Sequence, residues 1–210
     1  MIKCAAGQIR AFGANSNYTR LRISVPASKL RFTEQQHPLI AGIAAGDDIR
    51  VTIPRLQWVG EHPFTVFAVG VNKEDPSQGY IDLLIKTEGG LTRKLANQLV
   101  TSSKTGDQDK DVELAETLAK SRSLAVLIEG PFGRVPEIHE AATTDLVLVA
   151  GGITITFCWP LFVSAFKSSL SAAAASKLAT CKLVWIVRQK SKCCAWSAFG
   201  APSHGSFTDS

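Results

Sequence analysis

Over residues 1–90, apolar side chains return at every second position in short runs. Residues 8–12, 19–25, 48–53, 64–69 and 80–86 are rich in β-branched and aromatic types, and several alternate apolar with polar, as half-buried strands do. Gly46-Asp47, Pro54, Pro76 and Gly79 break the runs. Many short strands with no long helix between them predict a small antiparallel barrel or sandwich. At Gly89-Gly90-Leu91-Thr92 the period changes, and a helix is expected over residues 93–99. Residues 101–123 are polar and charged and read as an exposed excursion, helical over 112–120. Residues 124–129 return to strand, and Gly130-Pro131-Phe132-Gly133 is expected to turn the chain out of the barrel.

From residue 144 the grammar becomes strand, glycine turn, helix, strand. The strand is 145–150, the helix follows Thr156 and includes 168–179, and the second strand is 182–188. That order makes one parallel βαβ unit. Residues 146–166 carry no charge and are long enough to span a bilayer. Gly151-Gly152 and Pro160 favour the strand–turn–helix reading over a single-pass membrane anchor. The domain boundary falls within 136–142, and residues 191–210 read as an irregular tail.

Composition narrows the classes. An apolar fraction of 45% and a charged fraction of 20% over 210 residues describe an ordinary globular chain. The net charge of +5 is spread along the chain, whereas a nucleic-acid reader shows a basic run or stripe, so no nucleic-acid partner is expected. Five cysteines (Cys4, Cys158, Cys181, Cys193, Cys194) without a CxxC spacing predict neither a disulfide framework nor a zinc site, and the histidines form no metal motif. The amino terminus has no apolar signal-peptide core, which predicts a reducing, cytosolic setting.

Four strings carry the candidate chemistry. Glu61-His62-Pro63-Phe64-Thr65 begins a strand; alone it is also what a Pro-punctuated strand start with a core phenylalanine looks like. Glu88-Gly89-Gly90-Leu91-Thr92 precedes a helix, where free amides and the dipole suit a diphosphate, although a plain turn reads the same. Ile128-Glu129-Gly130-Pro131-Phe132-Gly133 is the third. Val149-Ala150-Gly151-Gly152-Ile153-Thr154-Ile155-Thr156 ends a buried strand, the place where open parallel sheets bind ligands.

Taken in order over residues 1–190, these strings resemble the flavin-reductase half of the ferric reductase and NADPH oxidase family. HPFT is similar to its FAD motif, GGLT to its diphosphate loop, EGPFG to its inter-domain turn, and the AGG string to its NADPH loop. The resemblance implies a β barrel plus α/β architecture. Residues 1–138 would form a six-stranded antiparallel Greek-key FAD-binding barrel of ferredoxin-reductase type, and 139–190 an incomplete parallel-sheet nucleotide-binding domain. It implies FAD bound by His62, Pro63, Phe64, Thr65, Gly90, Leu91 and Thr92. Phe64 would lie against the isoalloxazine, Thr65 at its reacting edge as the catalytic residue, and His62 along the ribityl-diphosphate. NADPH would fall to Gly151, Gly152, Thr156 and Arg188, the last pairing with the 2′-phosphate. No metal ligand is implied. The activity implied is transfer of electrons from NADPH through FAD to haem or a ferric chelate, at the cytoplasmic side of a membrane. This chain itself is expected to be soluble or peripheral.

The chain departs from the family pattern at three points. Ala68 stands where a serine is frequent. Thr154 replaces the last glycine of Gly-Gly-x-Gly, where close approach of a phosphate needs a bare backbone. The further strands, the Cys-Gly-Pro motif and the terminal aromatic of the family do not follow Arg188, nor does a haem-containing membrane domain precede residue 1. The truncated pattern keeps an alternative open, a non-enzymatic remnant that binds FAD and uses NADPH weakly or not at all.

Overall fold

The computed structural model describes residues 2–11, 17–31, 42–100, 124–132, 145–170 and 179–187. The expected helix over 112–120, most of that over 168–179, the 136–142 boundary, the tail and Arg188 lie outside them.

Seven strands form one antiparallel sheet: β1 (Ile2–Ala11), β2 (Tyr18–Pro26), β3 (Asp48–Thr52), β4 (His62–Thr65), β5 (Ala68–Val71), β6 (Gln78–Lys86) and β7 (Leu124–Phe132). Their order is β4-β3-β7-β1-β2-β6-β5. The outer strands β4 and β5 are separated in sequence only by Val66 and Phe67, so the two edges of the sheet are held together and the sheet must curl round its core. Val66 belongs to one side, its amide donating to Asp47 O at 2.8 Å; Phe67 belongs to the other, donating to Asp82 O at 2.9 Å.

Alternation decides what fills the interior. On β2, Leu21, Ile23 and Val25 are buried while Arg20, Arg22 and Ser24 between them are not. On β6, Ile81, Leu83 and Ile85 point the same way, joined by Ile49, Val51, Val126, Ile128 and the helix residues Leu91 and Leu95. Each such aliphatic contributes about 1.5–3 kcal/mol on leaving water. Helix α1 (Gly90–Val100) thus closes one end of the barrel.

Three expectations need correction. The single strand expected over 64–69 is two, because Val66 and Phe67 are both buried, in different clusters, which strict alternation forbids. Strand β1 begins at Ile2, ahead of the run at 8–12. Gly130-Pro131-Phe132 does not leave the sheet: β7 continues to Phe132, which pairs with Asp48, and a bulge opposite residues 48–50 absorbs the extra residue.

The second unit holds β8 (Asp145–Gly151) and β9 (Thr180–Ile186), paired in parallel, with helix α2 (Ile155–Leu170) between them in sequence. Tyr18, Phe67 and Leu84 of the barrel pack with Ala150, Ile155 and Cys158 of this unit, so one apolar cluster joins the two. Burial pushes the Cys158 thiol up, in keeping with its place in this apolar cluster. No helix among the described residues is long and apolar enough to cross a membrane.

Candidate functional site

A split in the barrel wall organises the site. The β5 ladder on β6 ends at Ala68↔Asp82. Beyond it, residues 83–86 of β6 pair with β2 on one side and carry no strand on the other among the described residues. Among the described residues strand β4 pairs only with β3, and its outer edge carries no strand either. These two edges diverge from an apex at Val66-Phe67, and β6 leads directly into Glu88-Gly89-Gly90 and α1.

The floor of the split is the glycine loop that opens α1. Thr92 Oγ1 accepts from the amides of Glu88 (3.1 Å) and Gly89 (3.3 Å) and donates to Gly89 O (2.8 Å), which pins the loop. The amides of Gly90 and Leu91 have no partner among the described residues. Gly90 has φ +51°, and an added Cβ would meet nothing within 4 Å there or at Gly89. Tight packing inside the protein therefore does not account for these glycines, and at Gly90 the positive φ does favour one. Thr92, expected as a third amide donor, gives its own N–H to Gly89 O (3.1 Å); its hydroxyl shapes the loop instead. Lys86 forms an ion pair with Glu88, which holds the Glu88 carboxyl below its usual range, and Arg93 donates to Glu88 O at 3.0 Å. Asn17, which the sequence did not single out, abuts this loop: its carbonyl accepts from the Thr87 amide at 2.7 Å, and its buried Oδ1 has no hydrogen-bond partner.

The wall of the split is β4. Pro63 is exposed, His62, Phe64 and Thr65 half-buried, and Phe64 packs against the barrel core. The His62 Nε2 atom is buried and has no hydrogen-bond partner, which is costly unless something else satisfies it. Thr65 Oγ1 donates to Asp48 Oδ1 at 2.8 Å. Asp48 is a site residue that sequence reasoning missed; the β3–β4 register, Asp48↔Thr65, puts it there.

In the second unit, Gly151 and Gly152 end β8, and open space surrounds both where a Cβ would stand. The indole N–H of Trp185 donates to Gly152 O at 2.8 Å and holds the turn. Thr154 is exposed at the mouth of α2. Thr156, expected to meet a nucleotide, is 7% exposed and its hydroxyl donates to Ile153 O at 3.0 Å, so it is turned into the protein. The structure thus places His62, Pro63, Phe64 and Thr65 on one edge of the split, Gly90, Leu91 and Thr92 at the helix start that follows the other edge, and Gly151 and Gly152 at the end of β8.

Comparison with known proteins follows this division. A family model described as an FAD-binding domain matches residues 14–136, and one described as a ferric reductase NAD binding domain matches residues 143–198. Ferric reduction oxidase 7, chloroplastic, of Arabidopsis thaliana is 36% identical over 110 residues, covering 51% of this chain and 13% of that protein. Ferric reductase transmembrane component 1 of Schizosaccharomyces pombe is 25% identical over 146 residues, 59% of this chain and 25% of that protein. The chain thus spans a quarter or less of the curated relatives it matches. A solved ferredoxin reductase in carbazole 1,9a-dioxygenase superposes over 96% of this chain and 47% of its own, with TM-score 0.52 and 13% identity, a likeness of fold.

Proposed function

Since the chain belongs to the ferric reductase and NADPH oxidase family, we propose that it is a flavoprotein oxidoreductase module carrying electrons from NADPH through FAD to a haem or a ferric chelate. The observation that carries this reading is the split between β4 and β6, with free amides at its floor and an orphaned buried His62 nitrogen in its wall. Both features fit FAD. A diphosphate would take the Gly90 and Leu91 amides, and a phosphate or ribityl oxygen could satisfy His62 Nε2. When bound, FAD would supply hydride acceptance and single-electron transfer.

Counting β4 and β5 as one bent strand, the barrel reads as the six-stranded Greek-key type. Residues 1–138 are then the FAD-binding domain, and 139–190 part of a nucleotide-binding domain. Thr65 would meet the reacting edge of the flavin. Because its hydrogen is given to Asp48, its oxygen is left to accept, which suits a ring nitrogen that has gained a proton. Pro63 and the half-exposed side of Phe64 would line the ring. Gly151 and Gly152 would receive NADPH, with Arg188 as partner of the 2′-phosphate. The electron acceptor would be a haem-containing membrane domain or a ferric chelate, with the module working at the cytoplasmic face of a membrane.

Mixing the purified full chain with NADPH without oxygen tests the sequence of steps. Bound yellow flavin that loses its oxidised absorption is expected. Flavin that binds and stays oxidised would sink the reductase step and leave the second reading, an FAD-binding remnant, which the exposed Thr154 favours. A folded chain that takes up no flavin would sink both.

Thr154→Gly is expected to tighten NADPH binding about fivefold, on the order of 1 kcal/mol, by letting a phosphate approach the α2 terminus. Calorimetric titration reads it directly; an unchanged Kd would mean that the side chain at 154 is not what limits the site.

A further inference from the structure

The loop between β3 and β4 displays its largest side chain to water. Trp58 and Val59 are each 78% exposed. A large apolar pair left in solvent is informative only if the chain holds it there, and this loop is firmly held. The amides of Leu56 and Gln57 both donate to Ile53 O at 2.9 Å, and the Gln57 side-chain amide donates to Val59 O at 2.9 Å. Lys94 Nζ on α1 donates to Leu56 O at 3.1 Å, and Leu56 itself packs on the barrel core. At the loop's end Gly60 lies against the orphaned histidine nitrogen: a Cβ there would come 3.9 Å from His62 Nε2.

The position of this tryptophan follows from the strand. Going backward along β4, Thr65 comes first, then His62 about 10 Å away at the usual strand rise, and Gly60 and Trp58 follow in the loop that leads into the strand. In the flavoprotein reading above, on which this inference rests, the same direction runs from the reacting edge of the flavin, past its diphosphate, to its adenine. We infer that Trp58 is the platform on which the adenine of FAD stacks. An aromatic face offered by a rigid loop suits a purine, since base–aromatic stacking needs a flat apolar surface and little else. Lys94 ties that loop to the helix whose N-terminal amides would hold the diphosphate, so the two subsites keep their spacing.

FMN has the flavin and one phosphate but no adenine, and it isolates the claim. In the full chain, Trp58→Ala should weaken FAD binding about tenfold and leave FMN binding unchanged within about twofold. Trp58→Phe should recover most of the FAD affinity. Flavin fluorescence titration measures all of these. Equal weakening of FMN and FAD, or no change in FAD affinity, overturns the inference. A wild-type chain that binds FMN as tightly as FAD overturns it too while leaving the flavoprotein reading in place. A wild-type chain that binds neither flavin overturns both.

Discussion

Asp82→Ala is expected to lower the unfolding free energy by about 3 kcal/mol, read as a fall in the urea midpoint at unchanged slope. The carboxylate is 2% exposed and holds two arginines: Arg22 donates Nε and an NH2 group to it at 2.8 Å each, and Arg20 forms an ion pair with it. Arg22 also lies over the Tyr80 ring, 3.7 Å from its centroid, and the hydrogen bond to Asp82 holds its guanidinium above its ordinary range. Removing the carboxylate leaves two charges facing each other on the barrel wall. Side-chain exposures of 22% and 28% on the arginines let water soften that cost, which sets the expectation at the low end for a broken buried pair. Replacing all three residues with apolar ones of similar size should recover most of the loss, because the desolvation of the charges disappears with them. If Asp82→Ala instead changed stability by less than about 1 kcal/mol, the network would be a surface pair in effect.

The same residue ties the wall to the site. Asp82 O accepts the Phe67 amide at the apex of the split, and Phe67 with Leu84 belongs to the cluster joining the second unit. Loosening this corner should therefore open the junction between barrel and strand β8 as well as the barrel itself.

What the sequence disclosed and what it hid follow one physical line. Alternation reports which face a residue occupies, so Leu21, Ile23, Ile81 and Leu83 were readable as core from their spacing alone. It does not report which strand lies alongside. Asp48 is silent in the sequence and acquires a role only when β3 pairs with β4 and brings it 2.8 Å from the Thr65 hydroxyl. Asn17 is brought beside the 88–92 loop in the same way, through a backbone bond to Thr87. The break at Val66-Phe67 was hidden because two consecutive apolar residues fit any strand; only the two separate clusters show that the chain changes partners there. Gly89-Gly90-Leu91-Thr92, by contrast, was legible as a loop because glycines before a helix start have few other uses. Thr92 illustrates the limit: its place in the loop was readable, but its job as the loop's internal brace was not.

Gly90→Ala should separate that loop's chemistry from the barrel's stability. At φ +51° an L side chain costs about 1–2 kcal/mol, with no clash to add because the Cβ would point into open space. The fold should therefore survive with a small drop in its urea midpoint. Binding should suffer far more. If the backbone relaxes out of the left-handed region, the Gly90 and Leu91 amides turn away, and each charge-assisted hydrogen bond lost is worth about 1.5–3 kcal/mol. If it does not relax, the methyl group stands where a phosphate oxygen would approach. Either route predicts FAD affinity falling about a hundredfold or more. Riboflavin, which has the ring without phosphates, supplies the control: its weaker binding should change by no more than about twofold. Equal losses for FAD and riboflavin would mean that the substitution damaged the barrel, and a full-strength FAD complex would remove the diphosphate from this helix start altogether.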